Sequence, residues 1–330
     1  MRINTGYKKK RSHVGKLESS LFLIICFFPT PKKNTQESGI ILNAFTLKNN
    51  SICHSSTQSS SLAEEIVLLK SETKRLNKVY RQTQDGIKKS AYQNVYNYKY
   101  ASLSVRNIYG LSELLSKLED RNNLCVVRGS LTKYGLRHQN IRRTLHKQPN
   151  GSDPTFKAEA KKWVCIDIDE FRFPQDLDPH NQDDRLQAIE QVIQEALPSE
   201  FIDVTYHYQF SNSFGVPSKC KETGADKTGY EFLKVHLWFY MSVSKADDKL
   251  KYWFKDYPYV DKALFNPVQI HYTSKPHFVE LADPIKKENR SGLIQKTTDE
   301  VIPPIITIEE NPVRQTTPKK LKASSNTQQK

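Results

Sequence analysis

The pattern of apolar and polar positions along the chain predicts helices that alternate with strands. Apolar residues recur at helical spacing in four runs, at residues 63–80, 111–120, 183–198 and 246–257. The first run begins with a capping-box pattern, in which Ser61 is the helix cap and Glu64 follows three residues later. The third run is the clearest helix, and Pro198 ends it.

Strand-like runs occupy the intervals between these helices. Apolar or alternating stretches lie at residues 124–131, 163–171, 201–211 and 229–243. Residues 80–105 predict a short strand or hairpin with a turn at Asp85 and Gly86. Residues 132–160 are polar and basic, and predict a loop with a helical turn at 141–145. Strands and helices in this order predict an α+β domain with a mixed or antiparallel sheet.

Composition changes at both ends of this pattern. A Ser-rich spacer at 51–62 separates a poorly ordered basic leader, residues 1–60, from a domain predicted over 61–290. The leader contains an eight-residue apolar run at 21–28, too short to span a membrane; a signal peptide is the alternative interpretation. Residues 291–330 are rich in Pro, Thr, Lys and Gln and predict a flexible basic tail.

The cysteines favour a reducing environment. There are five, spread along the chain, and no C-x-x-C pair suggests a zinc site or a redox couple. Cys125 and Cys165 lie in apolar runs and are expected to be small buried hydrophobes. We therefore expect a cytoplasmic protein without a membrane partner.

The net charge of +14 at pH 7 points to an anionic partner such as nucleic acid. Residues 61–150 carry 17 basic against 7 acidic side chains, whereas residues 151–282 carry 15 against 21. A basic segment therefore precedes an acidic one, and the acidic one contains the strongest candidates for chemistry.

Asp167 and Asp169 are the sharpest of these candidates. They interrupt an apolar run, and side chains two residues apart on a strand project from the same face. Two neighbouring carboxylates repel each other unless a cation lies between them, and hard oxygen ligands suit Mg²⁺ or Mn²⁺. The alternative is a strand end whose acids face water or pair with Lys161 or Lys162.

Four further segments carry residues of the same kind of chemistry. Lys234 and His236 share one face of a strand, a combination suited to a triphosphate beside a metal, although a lone strand histidine is often structural. Asp261 is a third acid, which either joins the carboxylate site or caps the following turn. Ser213 in a Ser-x-Ser-x-Gly segment suits close approach of a phosphate or an ordinary turn. Arg128 either contributes its guanidinium to the active site or is an ordinary charged residue at the end of a strand.

Together these segments resemble the archaeo-eukaryotic primase superfamily, especially the primase-polymerase modules of phage, plasmid and integrated-element replication proteins. That family has a hydrophobic-Asp-hydrophobic-Asp motif, then a small-x-His motif, then a hydrophobic-Asp motif. The matching residues here are Ile166 to Asp169, Lys234 to His236, and Val260 with Asp261. The pair Arg128 and Gly129, and a P-V-Q-x-H-Y-T-x-x-P run from Pro267 to Pro276, extend the likeness, which covers about residues 70–290.

The resemblance implies a primase-type catalytic domain with an RRM-like sheet flanked by helices. Such a domain makes or extends primers from nucleoside triphosphates on a single-stranded DNA template. By motif matching, two Mg²⁺ or Mn²⁺ ions would be bound by Asp167, Asp169 and Asp261. The incoming triphosphate would be contacted by His236, Lys234, Ser213 and Arg128. Template binding would fall to Arg137, Arg142 and Arg143.

Departures from the family pattern leave other interpretations open. Lys234 stands where many relatives have a small residue, and the sequence contains no G-x-x-x-x-G-K-[ST] motif, so a helicase would be supplied by a separate chain. A haloacid-dehalogenase-type phosphatase is disfavoured by Phe171, where that family has Thr or Val, and a rolling-circle nuclease by the lack of a His-hydrophobic-His pair. The main alternative is an inactive primase-like module that binds DNA or organises replication factors.

Overall fold

A computed structural model describes residues 63–219 and 225–307 of the chain. The predicted leader, Ser61 and the distal part of the predicted tail lie outside the described residues. Within the described part, none of the helices is long and apolar enough to cross a lipid bilayer.

The described residues form fifteen strands, three α-helices and four 3₁₀ turns. In chain order the strands are Glu64–Lys70 (β1), Val79–Thr83 (β2), Gly86–Ser90 (β3), Lys99–Val105 (β4), Leu124–Val127 (β5), Ser130–Leu131 (β6), Phe156–Lys157 (β7), Lys161–Arg172 (β8), Tyr206–Phe210 (β9), Ser218–Lys219 (β10), Asp226–Lys227 (β11), Phe232–Lys245 (β12), Ile270–His271 (β13), His277–Val279 (β14) and Ser291–Ile294 (β15). The helices are Ile108–Leu118 (α1), Gln182–Ala196 (α2) and Asp247–Trp253 (α3). The 3₁₀ turns are Gly135–Arg137, Ser199–Phe201, Lys262–Leu264 and Lys287–Asn289.

Two four-stranded antiparallel sheets form the body of the fold. The central sheet has the order β15-β9-β12-β8, and the N-terminal sheet has the order β13-β5-β1-β4. A smaller sheet, β14-β2-β3, contains the one parallel pairing between named strands, β14 with β2. The α+β class with mixed and antiparallel sheets is confirmed.

The central sheet is buried on both faces, which explains the nearly continuous apolar runs of β8 and β12. Alternation along β8 directs Val164 and Ile166 to a core packed against α2. Trp163 and Cys165 project to the opposite face, where they pack with α1 and the N-terminal sheet. The Asp167 side chain projects from the same face of β8 as Trp163 and Cys165. It lies just beyond the apolar core between the two sheets.

Helix α2 forms where the sequence predicts it. Its cap is Asn181, whose side chain accepts a hydrogen bond from the amide of Asp183 at 2.8 Å. The helix ends at Ala196 because the residue before Pro198 is pushed to an extended conformation. Its buried residues recur on one face toward the central sheet, namely Ala188, Ile189, Val192, Ile193 and Ala196.

The helix predicted over 63–80 is wrong. Residues Glu64–Lys70 form strand β1, which lies between β4 and β5 in the N-terminal sheet. Its central residues are buried on both faces, so the short apolar run lacks the alternation that distinguishes a strand from a buried helix. The β-branched residues Ile66 and Val67 favour the strand.

Two of the smaller sequence predictions are confirmed, and one is not. The Asp85 and Gly86 turn is confirmed, and it joins β2 to β3 in a hairpin. The turn expected at 141–145 is instead the 3₁₀ turn Gly135–Arg137, and Ile141 pairs with Tyr98 as an isolated bridge. Cys125 and Cys165 are buried free thiols, as predicted.

The domain continues beyond residue 290, where the sequence predicts a tail. Strand β15, at Ser291–Ile294, is the edge strand of the central sheet and pairs with β9. Further on, the Val301 amide donates to the Tyr240 carbonyl at 2.8 Å. The segment folds onto the domain because it supplies backbone partners to β9 and β12.

Candidate active site

Asp167 and Asp169 lie on one face of β8, at the end of the core between the two sheets. Asp167 is largely buried, and Asp169 is exposed at the more open end of the strand. The alternative pairing with Lys161 does not occur, since the Lys161 ammonium contacts Glu159 at 3.0 Å and Glu64 at 3.4 Å. Neither carboxylate forms an ion pair with Lys162 among the described residues, and Asp169 faces solvent, as the strand-end alternative expects.

His236 is the direct neighbour of Asp167 on β12. The two residues are register partners, and His236 Nε2 lies 3.4 Å from Asp167 Oδ1. Burial acts to lower the pKa of His236, but the adjacent Asp167 outweighs it, and the net pKa lies above the ordinary histidine value. Burial likewise acts to raise the pKa of Asp167, but His236 and Lys78 outweigh it and hold that pKa below its usual range.

Lys234 and Ser213 lie toward the open end of the same site. An irregularity in the pairing of β8 with β12 falls at Lys234, which brings it opposite Asp169 and Glu170. The Lys234 carbonyl accepts a hydrogen bond from the Ser211 amide at 2.8 Å, and the Ser213 hydroxyl lies 3.1 Å from that of Ser211. The Ser-x-Ser segment is therefore a turn beside Lys234.

Asp261 adjoins Asp167 on the side opposite to His236. Its amide donates to the Asp167 carbonyl at 3.0 Å, and Val260 pairs with Ile168. The Asp261 carboxylate accepts a hydrogen bond from the Ala263 amide at 2.9 Å and caps the 3₁₀ turn that follows. Backbone pairing thus brings the three acids and the histidine to one place, while the third carboxylate has the capping arrangement.

The described residues do not form a preassembled metal shell. In the described parts of the chain, no group of three or more His, Cys, Asp or Glu side chains has an arrangement that could hold a metal ion. Asp261 would have to turn away from the Ala263 amide to join Asp167 and Asp169. The backbone thus brings the three predicted acids together, but the Asp261 side chain does not join the other two carboxylates.

Lys78 is an electrostatic neighbour of the two acids that the sequence analysis did not identify. It immediately precedes β2, and both Asp169 and Asp167 raise its pKa. Burial, aided by Lys89 and Lys234, outweighs them and lowers the pKa of Lys78 to about 8. No local pattern indicates this role, because Lys78 falls in the run interpreted as a helix and reaches the acids only through the fold.

Two stacked tyrosine rings lie beside the Lys78 side chain. The Tyr92 and Tyr272 rings are parallel, with centroids 3.6 Å apart, and the Lys78 ammonium lies 5.1 Å from the Tyr92 centroid. The Tyr92 hydroxyl accepts a hydrogen bond from Asn212 Nδ2 at 3.4 Å. Burial, with Tyr272, Tyr80 and Asp167, raises the pKa of Tyr92. Tyr272 belongs to the P-V-Q-x-H-Y-T run, so that run borders the site.

Arg128 is a structural residue rather than a ligand for a triphosphate. Only 1% of it is exposed, and its guanidinium forms an ion pair of 2.7 Å with Asp247. It also donates to three backbone carbonyls, those of Trp163, Lys161 and Lys245. These partners enclose the guanidinium, so the expected nucleotide contact is not available in this structure.

The three candidate template residues differ from one another. Arg137 and Arg142 are exposed, and neither pairs with a carboxylate among the described residues. Arg143 is half-buried, donates to the Val268 carbonyl and lies 5.8 Å from the Tyr98 ring. Arg143 therefore fastens its loop to the segment before β13, whereas Arg137 and Arg142 face solvent.

Comparisons with protein-family models, curated proteins and solved structures found no match for this chain. The arrangement of the described residues is therefore the basis for the functional argument that follows.

Proposed function

We propose that this protein is a DNA-template-directed nucleotidyltransferase of the primase-polymerase type. The observation that carries the proposal is the backbone pairing that sets His236 and Asp261 on either side of Asp167. Those residues come from separate segments of the chain, in the order of the primase motifs. A site with adjacent acids, an imidazole and ammonium groups suits phosphoryl chemistry, in which anionic oxygens must be neutralised.

The acids suit the two divalent cations that the proposed reaction needs. Asp167 Oδ1 is buried with His236 Nε2 at 3.4 Å and no contact that meets hydrogen-bond geometry among the described residues, and Asp169 lies on the same strand face. These carboxylates, with Asp261 after rotation of its side chain, would hold Mg²⁺ or Mn²⁺. Bound ions supply charge neutralisation at the attacking and leaving oxygens.

The remaining side chains would position the nucleotide. His236 would donate a hydrogen bond to the triphosphate, and Lys234 and Lys78 would supply positive charge at the open end of the site. A primer or nucleotide 3′-hydroxyl oxygen forms the new bond to the α-phosphorus, and the bond to the β-phosphate oxygen breaks. Pyrophosphate leaves with that electron pair, and the hydroxyl proton passes to solvent.

The test is template-directed nucleotide incorporation by the full chain with Mg²⁺ or Mn²⁺. The D167N/D169N variant is expected to lose incorporation by at least about 100-fold, because it removes the carboxylate charges while preserving side-chain shape. Glu170→Gln is the matched control, since it changes an adjacent exposed acid outside the proposed set. Incorporation that survives in D167N/D169N would contradict the assignment.

The alternative is an inactive primase-like module that binds DNA or organises replication factors. The capping arrangement of Asp261 favours it, because the third carboxylate is already occupied. DNA binding without any incorporation, tested with Mg²⁺, Mn²⁺ and several templates, would support this alternative. A replicative helicase on a separate chain is a proposed partner under either interpretation.

A further inference from the structure

A basic loop packs beside the N-terminal sheet, where Ile141 pairs with Tyr98 and Arg143 donates to the Val268 carbonyl. Residues 131–150 contain five lysines and arginines and no acidic residue. Lys133, Arg137, Arg142 and Lys147 are exposed, and none pairs with a carboxylate within the described residues. The loop therefore presents uncompensated positive charge of the kind that neutralises a phosphate backbone.

An exposed aromatic ring lies against this loop. Tyr96 is 66% exposed, and it lines an open pocket of about 350 Å³ together with Lys74, Asn97 and Asn140. Asn140 belongs to the basic loop, so pocket and loop are continuous. The pocket also contains Glu72, whose carboxylate is paired with Lys99 at 2.5 Å.

Backbone hydrogen bonds fix the pocket to the loop. The Tyr98 amide donates to the Ile141 carbonyl and the Ile141 amide donates to the Tyr98 carbonyl, each at 2.9 Å. These two hydrogen bonds join Tyr98, close to Tyr96, to Ile141, which adjoins Arg142. They therefore hold Tyr96 and Arg142 near each other.

The same segment leads directly to the candidate active site. Residues 91–97 have no regular secondary structure, and Tyr92, four residues before Tyr96, stacks on Tyr272 beside Lys78. Four residues of extended chain span at most about 14 Å. The backbone of Tyr96 thus lies within about two nucleotides' length of the backbone of Tyr92, which borders Lys78.

We propose that single-stranded DNA follows residues 91–97, with its phosphates on the basic loop and one base stacked on Tyr96. An unpaired base offers a free face for an exposed ring, whereas the bases of a duplex are already stacked on each other. Stacking of this kind accepts any base, as template reading requires. This inference rests on the proposed function, because it supplies the template path for that reaction.

The experiment measures binding of a fluorescein-labelled 20-nucleotide oligo-dT to the full chain by fluorescence anisotropy, with EDTA and without nucleotides. Tyr96→Ala is expected to weaken binding about 5- to 100-fold, the range found for loss of one stacked base. Tyr96→Phe keeps the aromatic face and is expected to bind like the parent. Tyr109→Ala is the control. Tyr109 is also an exposed tyrosine, at 39%, but it lies on α1 outside the proposed path, and its hydroxyl donates a hydrogen bond to Asp299.

Salt dependence separates stacking from charge. Arg142→Ala removes one phosphate contact and is expected to reduce the slope of log affinity against log salt by about 0.7, whereas Tyr96→Ala leaves the slope unchanged. Equal binding by Tyr96→Ala and Tyr109→Ala would overturn the inference, and so would equal affinity of the parent for a blunt duplex of the same length. Circular dichroism of each variant verifies the fold.

The outcome is independent of catalysis. If the chain binds the oligonucleotide through Tyr96 but incorporates no nucleotide, the binding path stands and the enzymatic proposal fails. If it incorporates nucleotides while Tyr96→Ala binds normally, the enzymatic proposal stands and this path is wrong.

Discussion

At the scale of single residues, Arg128 and Gly129 show how a functional signature can be structural. Arg128 is enclosed by Asp247 and three carbonyls, and the Gly129 amide donates to the Pro267 carbonyl at 2.8 Å. A Cβ at Gly129 would lie 2.7 Å from that carbonyl oxygen, so the backbone approach requires glycine. The Arg128-Gly129 pair and the run that begins at Pro267, two pieces of the primase-like signature, therefore pack on each other.

Removing the Arg128 charge is expected to destabilise the fold rather than weaken nucleotide binding. Arg128→Met should lower the free energy of unfolding by about 3–5 kcal/mol, because it leaves Asp247 buried and unpaired. The double variant R128M/D247L should recover much of the loss, as measured by urea unfolding. Unchanged stability together with reduced triphosphate affinity would restore Arg128 as a ligand.

Lys78 is the converse case, a functional candidate without a sequence signature. Lys78→Met is expected to weaken binding of a nucleoside triphosphate with Mg²⁺ about 10- to 100-fold, because the site would lose a positive charge that offsets the phosphates. Lys88→Met, an exposed lysine on β3, is the control. Calorimetric titration of both variants checks this, and equal affinities would exclude Lys78 from the site.

At the scale of elements, the packing of α1 on β9 contains a buried histidine. His207 is fully buried, its Nδ1 lies 2.9 Å from the Ser112 hydroxyl, and burial lowers the pKa of His207 to about 3. The imidazole is therefore neutral in the folded protein over the ordinary pH range. An unfolded histidine, in contrast, takes up a proton below about pH 6.5.

Acid is expected to destabilise the protein through this residue. Because the folded pKa of His207 is depressed, its contribution is fully present above about pH 6.5 and declines as the pH falls toward 3. Between pH 7 and pH 5 the loss should be about 2 kcal/mol. Urea unfolding of His207→Gln should show a smaller loss than the parent, whereas the exposed-site variant His138→Gln should match the parent. Equal pH dependence in all three would contradict the prediction.

Strand β1 explains why one element was assigned to the wrong class. Its apolar block, Ile66 to Leu69, is buried on both faces between β4 and β5. Period-two alternation disappears when both faces of a strand are covered, and the flanking Glu and Lys residues then favour a helical interpretation. The neighbours that decide the class, β4 and β5, lie later in the chain.

At the scale of the whole molecule, the central sheet extends in register from β15 to the site. Ser291 pairs with Gln209, Gln209 pairs with His236, and His236 pairs with Asp167. Strand β15 therefore supports the histidine from two strands away. The segment beyond residue 290 is part of the domain on which the site depends.

This connection predicts the effect of shortening the chain. A protein that ends at Arg290 should lose several degrees or more in melting temperature, because β9 becomes an unpaired edge and the Tyr240 carbonyl loses its Val301 partner. A protein that ends at Thr307 retains these contacts and should melt above the Arg290 form. Calorimetric scans compare the three, and equal melting of the Arg290 form would show that β15 is dispensable.

The sequence by itself determined the features that depend on local periodicity. The position of α2 to within two residues, the hairpin at Asp85 and Gly86, and the shared face of Asp167 and Asp169 follow from side-chain direction and turn chemistry within a few residues. The primase-like interpretation likewise comes from short motifs, and it remains a proposal.

Only the tertiary structure decided which polar groups are free to act. It enclosed Arg128, turned the Asp261 carboxylate to a capping position and brought Lys78 to the acids of β8. It also made β1 and β15 strands by supplying their partners. Burial and long-range pairing join residues that are distant in the chain, and no local pattern encodes them.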